Sequence, residues 1–168
     1  PRMPPKEIDL NPVTHITTDA IGAPGKRVFY IQAFEGDNSI TLIVEKVQIQ
    51  SLAVGLEQFL EEISQRFPDL PKATADFDEN IMRIHPPVDP LFRTGELGLG
   101  YDAENDRVVL IARELIPEEE PEKEPDTVRL WCTRSQLRAM CRWGMDVASR
   151  GRPTCPQCGQ PMEPEGHF

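Results

Sequence analysis

The feature that most constrains the fold of this chain is an order of three strands followed by one helix, which occurs twice. Each strand is a run rich in Val, Ile, Phe or Tyr between turn residues, and each helix has apolar residues at steps of three and four. In the first half, the sequence predicts strands and a helix at residues 15–22, 27–35, 39–45 and 47–67. In the second half, it predicts them at residues 92–101, 107–116, 127–133 and 134–149. This order indicates an α+β fold with antiparallel sheets and both helices on one face.

The two predicted helices each carry one apolar stripe. The stripe of the first helix consists of Ile49, Leu52, Ala53, Leu56, Leu60, Ile63 and Phe67. The stripe of the second consists of Leu137, Met140, Cys141, Gly144 and Ala148. Cys141 on this stripe and Cys132 in the preceding strand are therefore predicted to be small buried apolar residues rather than reactive thiols.

The two halves also agree residue by residue across the junction between the third strand and the helix. At an offset of 88 positions, Leu42 matches Leu130, Lys46 matches Arg134, Gln48 matches Gln136 and Ile49 matches Leu137. This agreement indicates two tandem βββα units that arose by internal duplication. Convergence of two unrelated segments on the same amphipathic pattern is the alternative.

These patterns divide the chain into five parts. They are an N-terminal tail (1–12), a first βββα unit (13–67), a linker (68–91), a second βββα unit (92–152) with an acidic loop at 117–126, and a C-terminal tail (153–168). The linker is rich in Pro and Asp, and we expect it to cross the surface. The acidic loop has six negative charges and one positive charge, and a Pro/Glu segment of this kind is typically a solvated connection.

Length and charge exclude several classes of protein. The chain has 168 residues, which is enough for one compact domain with a small appendage. Its net charge of -10 argues against wrapping a nucleic-acid backbone, which requires an excess of Lys and Arg. No apolar run has the length of a membrane span, and the N-terminus lacks the profile of a signal peptide. The sequence therefore predicts a cytoplasmic protein.

The C-terminal tail contains the clearest chemical motif, a candidate zinc knuckle. Cys155 and Cys158 form a Cys-x-x-Cys pair, and His167 can supply a third ligand. A redox pair would normally open a helix, whereas the prolines at 153, 156, 161 and 164 favour an extended, turn-rich segment. The expected metal is a structural Zn²⁺, although a closed site needs a fourth ligand.

Two further groups of polar residues are candidate sites. A cleft between the two units could be lined by Gln32, Glu45, Lys46, Gln48, Arg93 and Asp102. A stripe on the second helix, formed by Arg134, Arg138 and Arg142, could bind anions. The alternative for this stripe is a solvated helix face that pairs with the nearby acidic loop. Phosphate-binding glycine loops and the usual hydrolase and metalloprotease motifs do not occur.

Four motifs in sequence order indicate a known family. They are Gly25-x-Arg27-x-Phe29-Tyr30-x-Gln32-Ala33, Glu45-Lys46-x-Gln48, Phe92-Arg93-x-Gly95-x-x-x-Leu99-Gly100-x-Asp102, and Cys155-Pro156-x-Cys158 with Pro164-Glu165-Gly166-His167. Together they resemble an uncharacterised, mainly actinobacterial family, domain-of-unknown-function family 3090. The resemblance implies a further Cys directly after Phe168, which would complete a Cys3His zinc site. It also implies a genomic setting near phosphatase-like and kinase-like proteins, but no activity.

The sequence supports three hypotheses of function. The first is a non-catalytic, zinc-binding accessory protein that acts through a protein partner. The second is an enzyme with its cleft between the two units, with a link to phosphate chemistry. The third is a weak binder of nucleic acid or other anions through the Arg stripe, which the net charge makes the least favoured.

Overall fold

The computed structural model describes residues 4–23 and 25–150, which form two β-sheets and three helices. The strands are β1 (Glu7–Leu10), β2 (His15–Ile21), β3 (Val28–Glu35), β4 (Asn38–Val44), β5 (Thr94–Asp102), β6 (Arg107–Glu114) and β7 (Thr127–Cys132). The helices are α1 (Lys46–Arg66), α2 (Glu79–Met82) and α3 (Arg134–Arg150). The predicted α+β class is confirmed. Within the described ranges, no helix has the length and apolar character required to cross a membrane.

Each sheet contains the three strands of one unit in antiparallel order. The first unit consists of the three-stranded sheet β2-β3-β4 and α1, and the second unit consists of β5, β6, β7 and α3. The observed bounds of these strands and long helices lie close to those predicted, because alternating apolar residues and short turns determine strands locally. The repeated order is therefore present in the structure, while duplication as its origin stays a prediction.

The strand β1 was not predicted, since residues 1–12 were expected to form a tail. It pairs in parallel with β7 at the edge of the four-stranded sheet β1-β7-β6-β5, with Leu10 opposite Leu130. Leu10 is buried, and the Asp9 carboxylate accepts hydrogen bonds from Trp131 and Arg129. Burial raises the pKa of Asp9, but these two bonds outweigh it and the net pKa is lowered. The β1 segment has only two apolar residues, and it forms a strand because its backbone pairs with β7.

The two long helices pack against each other in antiparallel orientation. Near its C-terminus, α3 carries Gly144, where an added Cβ would lie 2.8 Å from side-chain atoms of Ile49 and Thr18. Toward its N-terminus, Arg138 reaches Glu57, which is further along α1. One buried cluster includes the apolar residues of α1 from Ile49 to Ile63, those of α3 from Leu137 to Ala148, and apolar residues of both sheets. Phe67, predicted to end the stripe of α1, is instead 36% exposed and lies just past the last residue of that helix. Cys132 and Cys141 belong to this cluster, as predicted.

The linker covers the other face of the three-stranded sheet. Thr17, Asp19 and Gln32 on that face are nearly inaccessible to solvent. Their side chains contact linker backbone, since Thr17 donates to the carbonyl of Met82 and Asp19 accepts from the amide of Ile84 at 3.0 Å. Buried polar groups are tolerated only when they are hydrogen-bonded. The linker is therefore an integral layer of the fold.

Candidate functional site

The cleft residues predicted from the sequence separate into three places. Glu45, Gln48 and Arg93 meet where α1 begins and β5 starts. Gln32 lies in the three-stranded sheet under the linker. Asp102 ends β5, and the length of that strand places it roughly 30 Å from Arg93. The six residues therefore do not line one common cleft.

The junction between α1 and β5 is held by a capping interaction. The Glu45 amide donates to Oε1 of Gln48 at 2.8 Å, which satisfies an amide at the start of the helix. The side-chain nitrogen of Gln48, Nε2, donates to the backbone carbonyls of Thr94 and Gly95 at 3.2 and 3.3 Å. Lys46 is half-buried at the same helix start. Gln48 thus links the first unit to the second, which is a structural role.

Arg93 and Glu45 form an ion pair on the rim of this junction. Arg93 donates to Glu45 at 3.0 Å, and the two side chains are 50% and 61% exposed. An exposed pair of this kind contributes little to stability because water and salt screen it.

A hollow of about 340 Å³ lies beside this junction, and we name it the α1–β5 cleft. Its walls are Val47, Gln48, Ser51, Leu52, Gly55, Gly95, Leu97, Gly98 and Leu99. Val47 is 63% exposed although it is apolar. An added Cβ at Gly55 or Gly98 would meet no atom within 4 Å, so both glycines leave open space. The cleft can accommodate a chain segment with apolar side chains.

Gln32 is part of the contact between the three-stranded sheet and the linker. Its side-chain oxygen accepts from the His85 amide at 2.8 Å, and its nitrogen donates to the His85 carbonyl at 2.9 Å. The side chain therefore pairs with both backbone groups of one residue, as a neighbouring strand would. This accounts for a buried Gln without invoking catalysis.

Arg134 and Arg138, two members of the predicted anion stripe, are bound to internal partners. Arg134 is 7% exposed and makes two hydrogen bonds to Asp106, at 2.8 and 3.1 Å, and one to the carbonyl of Pro71. Arg138 binds both carboxylate oxygens of Glu57 and the carbonyl of Ala73. These contacts raise the pKa of each guanidinium and hold the linker against α3. Arg142 is exposed beside the groove between α1 and α3.

A second hollow, which the sequence did not reveal, lies between the two units. This β2–α3 cavity of about 220 Å³ is lined by Thr14, His15, Ile16, Thr74, Asp76, Phe77, Ile81, Met82, Thr133, Ser135, Gln136 and Ala139. The Nε2 atom of His15 is buried and has no hydrogen-bond partner. The His15 ring lies 5.8 Å from Phe34 and 6.3 Å from His85.

Burial lowers the pKa of His15, and a hydrogen bond to the backbone of Ile81 offsets this only in part. The neutral form of this imidazole is therefore favoured, with one nitrogen free to accept a proton or a hydrogen bond. One signal for this site was present in the sequence. His15 opens a strand, and it alternates with Thr17 and Asp19, so that the three side chains share one face of that strand.

A further hollow borders the acidic loop. It has a volume of about 920 Å³ and lies between residues 4–6 and residues 119–126. Lys123 pairs with Glu114 at 2.8 Å across the base of this loop. None of the residues predicted for a site lines it.

The predicted zinc ligands Cys155, Cys158 and His167 lie outside the described residues. Within residues 4–23 and 25–150, no group of three His, Cys, Asp or Glu side chains is arranged to hold a metal ion. The side chains predicted as ligands are of the types that structural zinc sites use, so the chemistry of the donor set fits Zn²⁺. Three ligands would leave one coordination position for a further group.

Comparison with known protein families identifies the family of this chain. The model of a family described as protein of unknown function (DUF3090) matches residues 8–168. No curated protein and no solved structure matches the chain.

Proposed function

The chain belongs to the DUF3090 family, and from this premise we propose that it is a non-catalytic zinc-binding accessory protein that acts through a protein partner. The observation that carries the proposal is that the buried and half-buried polar side chains predicted for a site are bound to internal partners. Arg134, Arg138 and Gln32 are engaged by carboxylates or by linker backbone. Groups bound in this way hold the fold together and are not available to act on a substrate.

The zinc part of the proposal assigns Cys155, Cys158 and His167 as ligands. Bound Zn²⁺ would fold residues 153–168 into a small rigid module, because metal binding supplies folding free energy that so short a segment lacks. Structural rather than catalytic zinc is supported by the absence of a His-Glu-x-x-His motif and of a deaminase signature in the sequence.

Metal content tests this assignment. Elemental mass spectrometry is applied to the 168-residue chain, to the same chain with one Cys added after Phe168, and to a Cys155→Ser variant of the extended chain. We expect about one zinc per extended chain and less than a tenth of that in the variant. Absence of zinc from the extended chain would contradict the assignment.

The partner part of the proposal is tested with a purified partner. Once a partner has been obtained from the source cells, its affinity for the zinc-loaded extended chain is compared with its affinity for the Cys155→Ser variant by calorimetry. We expect a loss of at least about tenfold if the zinc module forms the contact surface. Equal affinities would place the contact elsewhere or refute the role of the module.

The environment of His15 favours a second function, an enzyme that acts in the β2–α3 cavity between the two units. A neutral imidazole with a free nitrogen, in a cavity that Asp76 and Ser135 also line, could serve as a general base. The probe is inorganic phosphate, followed by the NMR signals of the His15 ring. A shift of these signals that saturates with phosphate would support the enzyme, and an unchanged signal would count against a phosphate-handling site.

A further inference from the structure

The exposed face of the first half of α1 carries no charge. The sequence from Val47 to Leu56 is uncharged, although 27% of the residues in the chain are charged and Lys46 and Glu57 flank this segment. Within it, Val47 and Val54 are 63% and 59% exposed. They are seven residues apart, about two helical turns, so their side chains lie on the same face of α1. Exposed apolar residues at this spacing are typical of contacts between helices.

The corresponding face of α3 is covered by the linker. At the offset of 88 positions that relates the two units, Val47 corresponds to Ser135. In the same way, Ser51 corresponds to Ala139. Ser135 and Ala139 line the β2–α3 cavity, which linker residues 74–82 close. The α1–β5 cleft occupies the equivalent place beside α1, and its described walls come from α1 and β5 alone. Among the described residues, this face of α1 therefore has no such cover.

On its other side, the same face of α1 borders a hollow of about 560 Å³, which we name the α1–α3 groove. Its walls are Ala53, Val54, Glu57, Gln58, Cys141, Arg142 and Met145. Met145 is 41% exposed, and a methionine side chain adapts readily to the shape of an apolar partner. Arg138 binds both carboxylate oxygens of Glu57, so the carboxylate in this wall is already paired. The groove can therefore accept an apolar side chain beside Val54.

The exposed valine and the groove lie at nearly equal distances on opposite sides of Ser51. Val47 is four residues before Ser51, and Val54, at the groove, is three residues after it. When two copies of α1 cross in antiparallel orientation at Ser51, Val47 of each copy lies beside Val54 and the groove of the other copy. The face is therefore complementary to itself, as a twofold interface requires. The small side chain of Ser51 at the crossing point lets the two helices approach closely.

We propose that the chain forms a homodimer through this face of α1, with the twofold axis near Ser51. Charge favours a second copy at this face. Each chain has a net charge of -10, so two copies repel each other unless the surfaces that meet lack unpaired acidic residues. The second half of α1 exposes Glu61 and Glu62, whereas the first half exposes no acidic residue. The inference goes beyond the proposed function, because it concerns contacts between two copies of the chain and does not require zinc.

The mass in solution tests the dimer. Size-exclusion chromatography with light scattering is applied to a Cys155→Ser, Cys158→Ser variant of the chain, in which neither metal nor a disulfide at these positions can join two copies. At about 0.1 mM, well above a dissociation constant of about 1 μM, we expect twice the 19.0 kDa mass of one chain. The mass of a single chain would overturn the proposal.

A charge in the interface tests which surface forms the dimer. Val47→Glu should raise the dissociation constant at least about tenfold, because the twofold symmetry places two unpaired carboxylates in an apolar contact. Ile81→Glu is the matched control, since Ile81 is 54% exposed but lies in α2. Circular dichroism confirms that both variants fold. An unchanged dissociation constant in Val47→Glu, or an equal rise in Ile81→Glu, would refute the role of this face.

Crosslinking tests the position of the axis without a charge in the interface. In the same background, Ser51→Cys is treated with a short bifunctional maleimide, and Ser64→Cys, at another exposed serine about 20 Å further along α1, is the control. We expect covalent dimers from position 51 at a yield at least about tenfold higher than from position 64, because residues near a twofold axis lie close to their own copies. Equal yields from the two positions would overturn the proposed arrangement.

Discussion

Gln48 in α1 and Gln136 in α3 make the same pair of contacts, each within its own unit and toward the other one. Each side-chain oxygen accepts a hydrogen bond from a backbone amide at the start of its helix. Gln48 accepts from Glu45 and Gln136 accepts from Thr133, both at 2.8 Å. Each side-chain nitrogen donates to the segment that opens the other unit, at Thr94 and Gly95 in one case and at Val13 in the other. The two units are therefore joined by reciprocal contacts, which supports the proposal of duplication.

The first prediction concerns these two glutamines. We expect Gln48→Ala and Gln136→Ala each to lower the free energy of unfolding by about 1–2 kcal/mol, because each loses a helix cap and an interaction between units. Urea denaturation monitored by circular dichroism measures the change. The double variant should lose about the sum, since the two sites are distant and share no partner.

The control for this prediction is Gln65→Ala. Gln65 is exposed on α1, and among the described residues its side chain hydrogen-bonds to the Glu61 side chain four residues earlier, at 3.4 Å. Its removal should change stability by less than about 0.5 kcal/mol. Losses in Gln48→Ala as small as this one would show that the contact between the units is not important for stability.

The second prediction concerns the closest approach of the two long helices. Gly144→Ala should destabilise the protein by about 1–3 kcal/mol, because the new methyl group would lie 2.8 Å from Cγ2 atoms of both Ile49 and Thr18. Thermal and urea denaturation give the change. Thr18→Ser removes one of the two opposing methyl groups and keeps the hydroxyl that donates to Tyr30, so it should restore part of the loss.

Gly55→Ala provides the matched comparison. Gly55 is also within a helix, but an added Cβ there meets nothing within 4 Å. This substitution should stabilise the protein by about 0.5–1 kcal/mol, since alanine favours a helix more than glycine does. If both glycine substitutions stabilised the protein, the close packing at Gly144 would be refuted.

The strands and helices of both units could be predicted from the sequence because their signals are local. Alternation in residues 28–35 and the helical steps from Ile49 to Ile63 depend only on neighbouring residues. Strand β1 could not be predicted in this way. Its four residues are a strand because β7, about 120 positions away, pairs with them.

The candidate site was harder to predict for the same reason. The sequence placed Glu45 and Gln48 at a strand-helix junction, and Arg93 joined them only because the chain crosses back beside β4 after the linker. The partners of Gln32 are the backbone groups of His85, which residue types do not reveal. The repeated order of strands and helices was more informative than these residue types, because it relates the α1–β5 cleft to the β2–α3 cavity.

The third prediction concerns the pH dependence of the pair between Asp106 and Arg134. Hydrogen bonds from Arg134, and a weaker one from Tyr101, hold the pKa of Asp106 below its ordinary value despite partial burial. The ionised carboxylate therefore stabilises the fold above its unfolded-state pKa of about 3.9. This contribution is lost as the pH falls through the lower pKa of the folded state.

Asp106→Asn should accordingly cost about 1–3 kcal/mol at pH 7, and the difference from the parent chain should shrink below about pH 4. Asparagine is suitable because residue 106 has a positive φ of 51°, which Asn tolerates. Urea denaturation from pH 7 to pH 3 measures both chains. Asp37→Asn, in an exposed turn, is the control and should stay within about 0.5 kcal/mol of the parent. If the difference in stability between the parent chain and Asp106→Asn did not change with pH, the stabilising role of the ionised Asp106 carboxylate would be contradicted.

The fourth prediction concerns the two buried cysteines and separates them from the proposed zinc ligands. Burial raises the pKa of both Cys132 and Cys141 to about 12, so almost no thiolate is present at pH 8. In a Cys155→Ser, Cys158→Ser variant, we therefore expect no reaction with Ellman's reagent in the folded state and two reactive thiols in guanidinium chloride. Rapid reaction of the folded variant would show that one of the two is accessible. In the parent chain, any thiol released by a chelator would then have to be Cys155 or Cys158, because the core contributes none.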